Sequence, residues 1–108
     1  MNTIDTTQLR TQIAAGQPLW LVLAAEAVTF RFAHLPGAIA FADADQIVAF
    51  LRADDAIVVY GSDPTCDTSR TLAIELSRRG FTDVSWYADG LKDWLATGGH
   101  IEGTRERT

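Results

Sequence analysis

The sequence predicts an α/β fold: a central parallel sheet with helices packed on both of its faces. Three observations predict it. Apolar runs stand at 19–23 and 57–60, and a further strand-like stretch, Val-Ser-Trp-Tyr, at 84–87; the run 19–23 lacks the polar alternation of a strand with one wet face. Between them lie stretches with apolar residues at i, i+3 and i+4, bounded by capping residues and glycines. Strands and helices therefore alternate along the chain, the order that joins parallel strands through crossover helices.

Each element has its own justification. Asp5 is placed to cap a first helix, with Gln8 as its reciprocal partner and Ile4 and Leu9 as a hydrophobic staple. Leu9 and Ile13 share one face of that helix, and Gly16 is a natural stop. The run 19–23, Leu-Trp-Leu-Val-Leu, reads as a strand covered on both sides. Residues 24–33 show no period and fit either a loop or a short helix. The stretch 34–38, His-Leu-Pro-Gly-Ala, marks a turn, and 38–41 suits a brief strand. Asp43 and Gln46 repeat the capping arrangement ahead of Ile47, Val48 and Leu51, so a second helix is expected there, ended by Asp54 and Asp55. The β-branched run 57–60 is a good central strand, and a polar loop follows over 61–68. A helix over 69–79 turns Leu72, Ala73 and Leu76 inward, with Arg78 and Arg79 suiting its carboxyl-end dipole and Gly80 its C′ position. The run 84–87 is a further strand. Leu91, Trp94 and Leu95 make the stripe of a last helix, which Gly98 and Gly99 stop. Trp20, Trp86 and Trp94 all fall at positions expected to be buried, and the charged tail from Gly103 is expected to fray.

The length of 108 residues suits one compact domain spanning 1–108. The net charge of −5 argues against nucleic acid and acidic lipid as partners, because both need a basic face. The longest apolar run, 19–25, is far too short to span a bilayer. No basic region precedes an apolar stretch at the start, so no signal peptide is read. A single cysteine permits no intrachain disulfide and fits a reducing compartment, so a cytoplasmic location is expected. Neither His34 nor His100 has a Cys or His at ligand spacing, so neither a metal site nor a cofactor is expected. His34 reads as a turn-fixing residue, and Asp43, Asp45, Asp54 and Asp55 as caps and solvated ends. In parallel sheets ligands bind beyond the carboxyl ends of the strands, which makes the loop after the 57–60 strand the default site.

The chain also resembles the rhodanese-like domain family, along nearly its whole length. The resemblance is carried by His34-Leu35-Pro36-Gly37-Ala38 and by Ile57-Val58-Val59-Tyr60 ahead of the loop. Leu76 to Gly80 followed by Phe81-Thr82-Asp83-Val84 adds to it, as does Asp89-Gly90-Leu91 with Trp94 and Gly98. It implies a three-layer α/β fold and a sulfurtransferase relative. In that family a cysteine directly after the central strand carries sulfane sulfur as a persulfide, inside a loop of backbone N–H groups closed by a helix N-terminus. Such dipoles lower a thiol pKa and cradle the anion.

This sequence departs from that pattern. The position directly after Tyr60 is Gly61, which has no side chain to carry sulfur. Where the family commonly has Asp-Val-Arg after the first core strand, Leu23-Ala24-Ala25 stands. The loop runs Gly61, Ser62, Asp63, Pro64, Thr65, Cys66, Asp67, Thr68, Ser69, without the usual glycine and Arg-Ser. It is about two residues longer than the common short form, and resembles a variant with two loop cysteines spaced Cys-x4-Cys, of which Cys66 is the second. The helix dipole expected near Ser69 would activate Cys66. Asp63 and Asp67 oppose this by raising a thiol pKa and repelling anionic sulfur donors.

Two readings follow, and a third stays open. The first is a rhodanese-like domain without ordinary sulfurtransferase activity, acting as a binding or regulatory module. Its partner is then a small sulfur-containing or anionic ligand, or a protein. The second is an atypical sulfurtransferase or persulfide carrier with Cys66 as its catalytic nucleophile. In the third, Gly61 replaces an original cysteine, and Gly61→Cys alone restores activity.

Overall fold

In a computed structural model of the chain, the residues described are 2–24, 35, 37–41, 44–61 and 67–99. Five strands and four helices follow one another among them: β1 (Asn2–Ile4), α1 (Thr6–Ala14), β2 (Trp20–Leu23), β3 (Ile39–Ala40), α2 (Ala44–Phe50), β4 (Ala56–Tyr60), α3 (Asp67–Arg78), β5 (Asp83–Tyr87) and α4 (Gly90–Ala96). The strands form one sheet in the order β1-β5-β4-β2-β3, and every pairing is parallel. The α/β expectation holds.

Side-chain alternation along the inner strands divides the core in two. Val22, Ile57, Val59 and Val84 face one side with Ile47 of α2 and Leu72, Ala73 and Leu76 of α3. Leu21, Leu23, Val58, Tyr60 and Tyr87 face the other with Leu9 of α1 and Trp94 of α4. That is the three-layer arrangement: α2 and α3 on one face, α1 and α4 on the other. Because β4 is covered on both faces and flanked on both edges, an unbroken apolar strand is what the position demands.

The local signals read from the sequence recur as geometry. Asp5 caps α1, accepting the Gln8 N–H at 2.7 Å while Gln8 Oε1 accepts the Asp5 N–H at 2.9 Å. Ile4 and Leu9 are both buried beside it. Substituting Asp5→Ala removes one half of this box and is expected to cost about 1 kcal/mol. That corresponds to a fall of roughly 5 °C in thermal midpoint by circular dichroism. At the far end of α3, Gly80 (φ +96°) lets its own N–H reach the Ser77 carbonyl, while the Phe81 N–H reaches that of Leu76. Two carbonyls that α3 leaves over are thereby satisfied.

The structure also corrects several expectations. β1 was not anticipated; it pairs only with β5, at the sheet edge. Trp20 is not core but 37% exposed, because β3 pairs only with Val22 and Leu23 and α2 ends at Phe50 beside its ring. Ile13, Val48 and Leu95 are exposed as well: on each helix the face turned to the sheet is narrower than the apolar stripe. Asp54 and Asp55 do not end α2, which stops at Phe50; the Asp55 carboxylate instead accepts the Arg52 N–H at 2.8 Å. Helix α3 begins at Asp67, so Asp67 and Thr68 belong to its first turn rather than to the loop. Residues 24–33 of the sequence lie, apart from Ala24, outside the described residues, as do His34, Asp43, His100 and the tail from Gly103.

Candidate functional site

All five strands end at one level. Ile4 pairs with Tyr87, Tyr87 with Tyr60, Tyr60 with Leu23 and Leu23 with Ala40, each the last residue of its strand. Beyond that level the chain turns into a helix after β1, β4 and β5, and all four helix N-termini lie towards the carboxyl end of the sheet. The chain leaves β2 for β3 on one side and β4 for β5 on the other. The carboxyl ends of β2 and β4 therefore form the switch point where such sheets bind ligands. Ala24 and Gly61 stand there, each directly after its strand.

Gly61 is buried, and its backbone is held at both neighbours. The Tyr60 carbonyl accepts the Ala24 N–H at 3.0 Å, and the Gly61 carbonyl accepts the Leu91 N–H of α4 at 2.9 Å. With no side chain, Gly61 presents only backbone at the carboxyl end of β4.

Two hydroxyls brace the surroundings. The Tyr60 hydroxyl accepts the Leu35 N–H at 3.0 Å. That fixes the 35–38 turn against β4, where the Ala38 N–H donates to the Leu35 carbonyl at 3.0 Å and Gly37 has φ +78°. Burial drives the Tyr60 phenol well above its ordinary pKa of 10.0, against the smaller opposing pull of the Leu35 N–H. The Tyr87 hydroxyl meets Thr6 Oγ1 at 2.5 Å, and Thr6 Oγ1 also donates to Asp93. Burial raises the Tyr87 pKa too, with Asp93 and Asp89 adding to the rise. Neither tyrosine was singled out from the sequence; the available signal was that a tyrosine ending a buried strand must find a hydroxyl partner.

Of the sequence-predicted site residues, the structure places Gly61 at the end of β4 and Asp67, Thr68 and Ser69 in the first turn of α3. Ser62, Asp63, Pro64, Thr65 and Cys66 lie outside the described residues. Ser69 is buried and its hydroxyl accepts the Trp86 indole N–H at 3.0 Å, which pins the first turn of α3 to β5. From Asp67 and Thr68 an open groove of about 500 Å³ runs between α2 and α3. Asp45, Glu75 and Arg79 line its far part, with Arg79 bridging Glu75 at 3.0 Å and Asp45 at 2.6 Å. Three carboxylates against one guanidinium leave the groove acidic. No group of three or more His, Cys, Asp or Glu suited to a metal occurs among the described residues.

Solved structures share this architecture. The solution structure of the rhodanese-like domain of the Alr3790 protein from Anabaena sp. superposes with a TM-score of 0.88 at 28% identity, over 100% of this chain and 84% of that one. The BH2092 protein from Bacillus halodurans gives 0.86 at 23% identity, over 96% of this chain and 78% of that one. A thiosulfate sulfurtransferase from Pseudomonas aeruginosa gives 0.79 at 22% identity, over 95% of this chain but only 20% of that one. At such identities the last two show the fold alone. No curated protein matches the chain. The profile of the rhodanese-like domain matches residues 5–97, and the chain belongs to that family.

Proposed function

We propose that this is a rhodanese-like domain without ordinary sulfurtransferase turnover, which serves as a binding or regulatory module. The observation that carries the reading is Gly61: the residue directly after the central strand has no nucleophile. The acidic groove beside α3 supports it, since Asp45, Asp67 and Glu75 oppose a dianionic donor such as thiosulfate. So does Ala24, which stands uncharged at the switch point.

A second reading is favoured by one feature. Cys66 directly precedes Asp67, the first residue of a 12-residue helix, whose unpaired N–H groups favour a thiolate. In that reading the Cys66 thiolate attacks the outer sulfur of thiosulfate, sulfite leaves, and the persulfide sulfur passes to an acceptor thiolate or cyanide.

Thiosulfate-to-cyanide transfer separates the two. The expected result is turnover no higher in the wild type than in Cys66→Ala, with no gain of a sulfur atom on the intact protein after thiosulfate or glutathione persulfide. A persulfide that forms on the wild type, disappears in Cys66→Ala and is discharged by a thiol would establish the second reading instead. Gly61→Cys is expected to remain slow, because the acidic groove and Ala24 persist in it. Strong activity in that variant alone would mean that only the nucleophile is missing.

A further inference from the structure

The end of the molecule opposite the site carries an aromatic and acidic surface that the family reading does not use. Trp20 opens β2 and is 37% exposed, and Phe50 at the end of α2 is 65% exposed. Their rings lie 6.2 Å apart nearly edge to face, and Phe41 lies 5.9 Å from Phe50 on the other side. The ladder of β3 reaches only Val22 and Leu23, so among the described residues no strand pairs with β2 beside Trp20 on that edge. Large aromatics left exposed together are what contact surfaces are made of.

Continuous with Trp20 is an open cleft of about 620 Å³, formed where β2, β4 and β5 begin and lined by Pro18, Trp20, Asp54, Asp55 and Asp83 among others. Among the described residues no Lys, Arg or His lines it. The Asp55 carboxylate is engaged by the Arg52 N–H, whereas Asp54 and Asp83 are exposed. A half-exposed tryptophan and three aspartates that line one cleft are complementary to one side chain above others. A guanidinium stacks on the ring through its flat face and forks to a carboxylate through its edge, which an ammonium does less well. A second copy of this chain is a poor occupant, because pairing like faces would bring two sets of these aspartates together in a chain of net charge −5.

We propose that this amino end of the sheet is a docking surface for an arginine-bearing segment of a partner protein, with Trp20 and Phe50 as its apolar anchors and Asp54 and Asp83 as its charge partners. The inference is independent of whether the opposite end transfers sulfur.

The test is an NMR titration of the isotope-labelled full chain with acetyl-Arg-Leu-Arg-Leu-Arg-amide, and with the same peptide carrying Lys or Glu in place of Arg. The Trp20 indole and the amides of Ala56 and Asp83 are expected to shift with the Arg peptide, less with the Lys peptide, and not with the Glu peptide. Trp20→Leu is expected to weaken binding roughly threefold, and the exposed pair Asp54→Asn with Asp83→Asn about fivefold, the fold being checked by circular dichroism. Shifts spread evenly over the acidic surface, equal binding of Arg and Lys peptides, or unchanged affinity in both variants would each overturn the proposal. Dimerisation in sedimentation equilibrium, abolished by Trp20→Leu, would overturn it in favour of a self-interface.

Discussion

Leu76→Ala is expected to lower the unfolding free energy by about 3 kcal/mol, within the 2–5 kcal/mol seen for truncating a fully buried leucine. Leu76 has no exposed surface and packs with Leu72, Ala73, Phe81, Ile57 and Val59 between α3 and the sheet. Its carbonyl also accepts the Phe81 N–H at 3.2 Å where α3 gives way to β5. The lost methyl groups leave a cavity that α3 cannot fill by sliding, because Ser69 and Gly80 fix it at its two ends. A domain of this size holds only about 5–15 kcal/mol in total, so the variant should lose roughly a fifth to three fifths of its stability and unfold at clearly lower denaturant concentration, with an unchanged slope. A loss below 1 kcal/mol in chemical denaturation would mean that this core layer repacks freely.

That layer was legible in the sequence because its determinants are local. The i, i+3, i+4 spacing of Leu72, Ala73 and Leu76, the glycine after Arg79 and the reciprocal pair Asp5 and Gln8 each act within one or two turns. What was not legible depends on partners distant in the chain. β1 is three residues, Asn-Thr-Ile, with no pattern of its own; it is a strand because β5 offers an edge some eighty residues later. Trp20 reads as core by composition, and only the shortness of β3 and the end of α2 leave it exposed. The start of α3 was placed two residues late, since Asp67, Thr68 and Ser69 are all residues that favour a helix N-terminus and no local rule ranks them.

The candidate site divides in the same way. Its position follows from a strand running into a helix, and the absence of a nucleophile at Gly61 can be read directly from the sequence. Its bracing cannot. The bonds from Leu35 to Tyr60, from Leu91 to Gly61 and from Thr6 to Tyr87 span 25 residues or more, and nothing short of the tertiary fold selects those partners. Cys66, on which the second functional reading turns, lies outside the described residues, so its weight rests on sequence adjacency to α3.

Tyr60→Phe isolates one of these braces and gives it a pH signature. Losing the hydroxyl leaves the buried Leu35 N–H without its acceptor, which is expected to cost about 1–3 kcal/mol at neutral pH. The wild type and the variant should then converge as the solution becomes alkaline. Burial raises the folded-state pKa of Tyr60 above the ordinary value of 10.0, so below pH 10 both folded and unfolded phenols are protonated and its contribution is fully present. Above it the unfolded chain ionises while the folded one does not, and stability falls with rising pH until the folded pKa is reached. Tyr87 is raised in the same direction and remains in the variant. Each such group steepens the loss by about 1.4 kcal/mol per pH unit. The wild type should therefore lose stability above pH 10 faster than Tyr60→Phe by about that amount, in urea melts at pH 8, 10 and 11. Parallel curves across that range would show that the Tyr60 hydroxyl ionises as readily in the folded chain as in the unfolded one, and the sealed burial of that hydroxyl at the end of β4 would then have to be abandoned.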